Sequence, residues 1–126
     1  MMNSLRKKIK EEIDKTTGLV SHFINSGNNS SYPYITFKLK EIDAGYIDKH
    51  IYELTVDAWD KNEVKRIIEA IDDLDRRFKQ FKENNSEMVL LIYHGSGKGF
   101  LDDEDKSIKR LERKYEVIAY EKGDKT

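Results

Sequence analysis

Residues 52–83 read YELTVDAWDKNEVKRIIEAIDDLDRRFKQFKE, and the hydrophobic period changes inside this stretch. Tyr52, Leu54, Val56 and Ala58 alternate with Glu53, Thr55 and Asp57, the two-residue period of a strand with one buried face. From Val64 the apolar positions are Ile67, Ile68, Ile71, Leu74, Phe78 and Phe81, one stripe of an amphipathic helix. Between them Asp60 and Glu63 have the spacing of a capping box, in which Asp60 accepts from the Glu63 N–H and Glu63 reaches back. The spacing predicts a strand from about Ile47 to Trp59 followed by a helix from Asn62 through about residue 83, closed by Asn84-Asn85.

Upstream, Ile35, Phe37 and Leu39 alternate with Thr36, Lys38 and Lys40. This makes a first strand opened by Tyr32-Pro33-Tyr34, where a proline breaks no ladder bond. Asp43-Ala44-Gly45 marks a turn, so the two strands are expected as an antiparallel hairpin. Leu5, Ile9 and Ile13 recur every four positions in a basic N-terminal segment. This predicts a surface helix over 4–17, capped by Ser4 and ended by Gly18. Leu19 to Ile24 is a short apolar patch, and residues 25–31, Asn-Ser-Gly-Asn-Asn-Ser-Ser, read as a mobile polar loop.

Downstream, Met88 to Tyr93 is an almost wholly apolar run, suited to a strand buried on both faces. His94 to Gly99 is expected as a flexible loop and Asp102 to Asp105 as an acidic turn. From Lys106 to Tyr120 both helical and strand spacings fit, but Tyr115, Val117, Ile118 and Tyr120 are β-formers and point to a closing strand. Residues 121–126 form a polar tail. The elements thus read α-β-β-α-β-β. They describe a single α+β domain over residues 1–126, with two helices on a mostly antiparallel sheet of about four strands.

The chain has 126 residues, 23 Lys+Arg against 24 Asp+Glu, and no cysteine. A near-zero net charge is unlike a dedicated nucleic-acid binder, which needs a basic excess to neutralise phosphates. Without cysteine there is no disulfide framework, thiolate zinc site or cysteine nucleophile. No run of 18 apolar residues occurs, as a spanning helix would need, and the basic N-terminus lacks a signal peptide's apolar stretch. A cytoplasmic site of synthesis is therefore expected. Apolar and charged residues each make up 37%, where an average domain has about 45–50% and 25%. The core is expected to be thin, and further burial against partner subunits is expected with it.

Motifs for chemistry fail on detail. Gly95-Ser96-Gly97-Lys98-Gly99 follows a strand as a phosphate loop would, but a Walker pattern needs glycine where Ile92 stands and Ser or Thr where Gly99 stands. A dinucleotide fingerprint from Gly95 needs glycine where Phe100 stands. Asp102-Asp103-Glu104-Asp105 lacks the alternation and later glutamate of a calcium loop. Asp72, Asp73 and Asp75 with Arg76 and Arg77 read as a solvated helix face with i,i+4 pairs. His22, His50 and His94 lie in three segments without metal spacing. We therefore expect no enzyme, no catalytic residue, no cofactor and no metal. The rival class is a small cytoplasmic enzyme or regulator using His50 or His94 with the acidic turn.

The chain resembles the tail terminator (tail completion) proteins of long-tailed phages and phage-tail-like bacteriocins. The resemblance rests on the N-terminal helix, the variable loop, Tyr32-Pro33-Tyr34-Ile35-Thr36-Phe37 entering a strand, and the hydrophobic–Asp–x–Trp end of the next strand at Asp57 and Trp59. The helix from Asn62 to Phe81 and the Asp-rich turn before Arg110 to Tyr120 extend it. It implies a virion or tailocin component assembled in the bacterial cytoplasm and found at the tail end or neck. Its expected partners are its own copies in a hexameric ring, the tail tube protein, the last sheath ring in contractile systems, and the head-side connector or collar. A different neck or head–tail joining protein is the nearest alternative. On residue type and position, Tyr32, Tyr34 and Trp59 are candidate interface aromatics, since buried Tyr and Trp dominate protein–protein hot spots. Arg110 and Arg113 are candidate charge partners.

Overall fold

The change of period at residues 52–83 is realised as a long strand followed by a helix, in a computed structural model that describes residues 1–24, 31–43 and 48–123. Helix α1 (Met2–Thr17) leads into a short strand β1 (Ser21–Phe23), then β2 (Tyr34–Asp43) and β3 (Lys49–Lys61). Helix α2 (Lys65–Arg77) follows, and then β4 (Gln80–Asn84), β5 (Met88–Leu101) and β6 (Ile108–Glu121). The α+β class and two helices stand, but the expected sheet of about four antiparallel strands in the order α-β-β-α-β-β does not. The sheet has six strands in the spatial order β1-β2-β3-β6-β5-β4, curled into a half-barrel, and β1 runs parallel to β2.

Each of the two additional strands has a physical reason. Strand β1 is too short to show a period, and α1 holds it in place. Asp14 Oδ1 accepts from the Ser21 N–H at 2.8 Å and from its hydroxyl at 2.6 Å, and Lys10 Nζ donates to the Ser21 carbonyl at 2.6 Å. These bonds cap an edge that would otherwise invite another strand. Strand β4 occupies the expected last turns of the helix. Phe81 satisfies a helical spacing from Phe78, but the chain leaves α2 at Phe78 and places Phe81 opposite Ile92 on β5. Both rings stay buried, 5.6 Å apart edge to face, so the apolar pattern is conserved while the backbone changes period.

Other boundaries shift for similar reasons. The Asp60–Glu63 box does not form, because β3 continues through Lys61 and Asp60 accepts from the adjacent Lys61 N–H. Helix α2 begins at Lys65 with no side-chain cap, and α1 begins after Met1 rather than with Ser4 as cap. Gly18 does end α1, in the left-handed region at φ 70°. The expected loop at His94–Gly99 is part of β5, with an irregularity in register between His94 and Lys98. A side chain at Gly95 would put its Cβ 2.7 Å from the Lys114 carbonyl oxygen, so glycine serves close backbone approach there. Strand β5 is buried on one face only: Met88, Leu90 and Ile92 are covered, whereas Tyr93 is exposed. The closing strand β6 runs unbroken through the ambiguous segment and includes Glu121, the start of the expected tail. Loop residues 25–30, turn residues 44 and 45, and tail residues 124–126 lie outside the described residues.

Alternation gives the sheet two faces. Ile35, Phe37, Leu54, Val56, Tyr115 and Val117 point to the face where Leu5, Ile9 and Ile13 of α1 and Ile67, Ile71 and Leu74 of α2 complete one buried cluster. The opposite, open face carries Tyr34, Thr36, Asp57, Trp59, Arg110 and Glu112 at one end. At the other it carries Ile51, Val89, Leu91 and Ile118.

Candidate functional site

The strand register sets four side chains in one row across the open face. Tyr34 on β2 pairs with Trp59 on β3, Trp59 with Arg110 on β6, and Arg110 with Leu101 on β5. Side chains directly opposite in a ladder are neighbours, and here the first three stack. The Tyr34 and Trp59 rings lie 6.1 Å apart and 11° from parallel. The Arg110 guanidinium sits 4.8 Å from the centre of the Trp59 ring, a cation–π contact. Tyr32 packs on Tyr34 at 5.3 Å, and His22 of β1 meets Tyr34 edge-on at 6.2 Å.

Polar neighbours hold the row in place. The Trp59 indole N–H donates to Thr36 Oγ1 at 2.9 Å. Arg110 grips Asp57 with two parallel bonds, Nε to Oδ1 at 3.0 Å and Nη2 to Oδ2 at 3.3 Å, with Glu112 3.7 Å away. Such a fork orients the guanidinium as well as neutralising the carboxylate. Burial beneath these neighbours, then the Tyr32 hydroxyl, raises the Tyr34 pKa above its ordinary value. The row ends at Leu101 in a cleft of about 300 Å³, whose apolar lining is Val64, Phe100, Leu101 and Ile108. Asp102 and Asp103 flank it on the acidic turn.

Four of the five residues singled out from the sequence, Tyr32, Tyr34, Trp59 and Arg110, thus fall together. Arg113 does not. It projects to the helix face, where its Nε donates to Asp75 Oδ1 of α2 at 2.7 Å and its Nη1 to the Gly97 carbonyl at 3.2 Å. The Tyr115 hydroxyl donates to the same Asp75 oxygen at 2.7 Å, and Lys98 Nζ reaches Oδ2 at 3.0 Å. Burial pushes the Asp75 carboxyl up, but the bonds from Arg113, Tyr115 and Lys98 outweigh it and hold the pKa below the usual carboxylate value. Burial, and then the bond to Asp75, drives the Tyr115 hydroxyl far up. Asp75 is therefore the centre of a partly buried network and no part of a solvated helix face. The expected Asp72–Arg76 and Asp73–Arg77 pairs are replaced by Asp73–Arg76 and by Arg77 bonded at 3.2 Å to the buried Glu12 of α1.

The residues of the rival reading are dispersed. His94 Nε2 lies 2.8 Å from the Asp75 carbonyl oxygen. His50 stands between Glu41 at 3.7 Å and Glu121 at 3.5 Å, with neither ring nitrogen hydrogen-bonded. The acidic turn is organised internally, with Asp105 accepting from the Ser107 N–H and hydroxyl, bonds that lower its pKa. Among the described residues no three His, Asp or Glu side chains are grouped to hold a metal.

Sequence reasoning missed Leu101 as a member of the row and Thr36 and Asp57 as the neighbours that hold it. Asp57 was legible as the outward neighbour of Trp59, but its pairing with Arg110 depends on β3–β6 register. Leu101 was hidden by reading residues 94–99 as a loop. On the open face the exposed Tyr32 and the half-buried Trp59 flank a covered Tyr34, beside one oriented cation and a cleft with an apolar floor, the residue types found where protein surfaces meet. No protein-family model matches the sequence, and no curated protein matches it.

Proposed function

We propose that this chain is a non-enzymatic assembly subunit, the tail terminator of a phage tail or a tailocin. In this reading copies of the chain form a ring, of hexameric order, on the end of the tail tube. The ring stops tube polymerisation and offers its other side to the head-side connector or collar; where the tail contracts, it also meets the last sheath ring. Assembly takes place in the host cytoplasm, and the protein ends in the particle at the tail end or neck.

The observation that carries the reading is the Tyr34–Trp59–Arg110–Leu101 row. It gathers the residue types that anchor protein interfaces onto the sheet face that the helices leave open. Interspersed Lys and Glu on that face, such as Lys38, Glu53 and Lys114, suit selection of partners through matched charge. A ring also fits a chain whose apolar content is low for its size.

The test is polymerisation of the cognate tail-tube protein with and without this chain, followed by electron microscopy and light scattering. Tubes are expected to be shortened and capped by rings, and Trp59→Asp with Arg110→Asp is expected to abolish capping. A strict monomer at every concentration, both alone and with tube protein, would refute the reading.

A further inference from the structure

Among the described residues the sheet ends in free edges on β1, on β4 and on the far part of β5. On β1, Asp14 and Lys10 of α1 take up the Ser21 N–H and carbonyl. Strand β4 is short and carries Lys82 and Glu83, charges of the kind that discourage further pairing. The third edge is different. Strand β4 pairs only with residues 89–93, whereas β5 runs on to Leu101. Over residues 98–101 one side of β5 pairs with β6, and among the described residues no strand pairs with the other side. Strand β6 stays flanked by β3 as far as Ile108, so the hairpin is supported on one side and bare on the other.

Residues 98–101 are all exposed, Phe100 at 52%. Alternate residues of an antiparallel strand turn their N–H and C=O away from the paired ladder, so this edge presents donors and acceptors that another backbone can complete in register. Lys98, the side chain best placed to guard it, is drawn instead to Asp75 at 3.0 Å and Asp72 at 4.0 Å. Nothing within the chain requires glycine at 97 or 99: a side chain at either would meet no atom within 4 Å. Glycine in a strand leaves room for another backbone to approach closely. Beside the edge lies the cleft floored by Val64, Phe100, Leu101 and Ile108. Its charges are mixed, Asp102 and Asp103 with Lys106, Lys109 and Arg110, so it selects by apolar fit and not by sign.

We propose that an extended segment of a partner protein adds to the sheet beside residues 98–101, its backbone pairing with β5 and an apolar side chain entering the cleft. The segment's residue opposite Leu101 then continues the row of Tyr34, Trp59, Arg110 and Leu101 by one member. The length of the edge decides the occupant. Residues 98–101 span roughly 13 Å at the rise of a strand. Pairing this edge with the same edge of a second copy would engage far fewer than the roughly 20–30 residues a side of a stable interface. A strand added from a loop or tail needs little more than the edge and the cleft. The proposal goes beyond the ring reading and stands without it.

The experiment uses the isotope-labelled full chain and, as probes, end-capped heptapeptides in which threonine alternates with valine, leucine or phenylalanine. Binding and amide hydrogen exchange are read by NMR. At least one peptide is expected to bind and to slow exchange of the outward amides among residues 98–101 by about tenfold at saturation, leaving β1 and β4 unchanged. N-methylation of one alternate set of peptide residues, which keeps the side chains and deletes the donors facing β5, is expected to weaken binding by about tenfold. Methylation of the other set is expected to leave it intact. Phe100→Asp, at an exposed position and with circular dichroism confirming the fold, is expected to abolish binding by spoiling the cleft. Binding by none of the three peptides up to about 1 mM, equal binding by both methylated forms, or protection elsewhere in the sheet would overturn the proposal. So would protection of residues 98–101 that rises with protein concentration in the absence of peptide, since the edge would then belong to a second copy. None of these outcomes touches the ring reading, which capping of the tail tube tests separately.

Discussion

Arg110 and Arg113 lie three residues apart on β6, and each binds an aspartate through its guanidinium, yet their surroundings differ. Arg113 faces the helices, is 8% exposed, and shares Asp75 with Tyr115 and Lys98. Its pair locks α2 to the sheet. Arg110 faces outward with a side chain 28% exposed, and its pair with Asp57 holds the guanidinium over Trp59. Both carboxylates are largely covered, Asp75 17% and Asp57 8% exposed, and the difference lies in what covers them. Asp75 sits beneath α2 in a network with two further donors, whereas the cover over Asp57 on the open face includes the partly exposed Arg110 itself, so that removing it opens the carboxylate to water. One arginine therefore belongs to the fold and the other to the surface here proposed to meet partners.

Arg113→Ala should show the largest effect, because it removes the covered cation from Asp75 beneath α2 and leaves that carboxylate only the neutral Tyr115 hydroxyl and the exposed Lys98. We expect a loss of about 3–5 kcal/mol in urea unfolding, and a loss below about 1 kcal/mol would break the comparison. Asp75→Asn should cost about 2 kcal/mol near neutrality and should also change the pH dependence. The folded-state pKa of Asp75 is lowered, so its contribution is present above the unfolded value of about 3.9 and drains away as pH falls through the folded value. Thermal melts from pH 7 downward should therefore find the variant less sensitive to acid than the unaltered chain. An identical acid profile would show that Asp75 is not the coupled group.

On the open face Arg110→Ala should cost about 1–2 kcal/mol of stability while abolishing assembly, a dissociation of folding from binding that Arg113→Ala cannot show. Thr36→Val, which deletes only the acceptor of the Trp59 indole N–H, should cost about 0.5–1 kcal/mol. Tryptophan fluorescence should then report a looser ring; an unchanged spectrum would mean that stacking alone holds it.

How much of this was legible follows the range of the interactions. The outward placement of Trp59 relative to Leu54 and Val56 came from alternation, and so did the inward set Tyr52, Leu54, Val56 and Ala58. Gly18 as a helix stop came from local backbone chemistry. Strand β4 was not legible, because Phe78 and Phe81 fit a helix equally well and only the open edge of β5 draws the chain into a ladder. Arg110 and Arg113 were indistinguishable as charged residues in an ambiguous segment. Their assignment to opposite faces followed once that whole segment became one strand.

The sequence by itself determined the α+β class, the two helices, the alternating faces of β2 and β3, and the set of aromatics from which the row is drawn. These depend on periods and residue types within a few positions of one another. The six-stranded order, the parallel β1, the end of α2, and the gathering of Tyr34, Trp59, Arg110 and Leu101 were decided by tertiary structure. Each depends on which strands become neighbours and in what register, and those choices are made by burial and backbone hydrogen bonding between segments far apart in the chain.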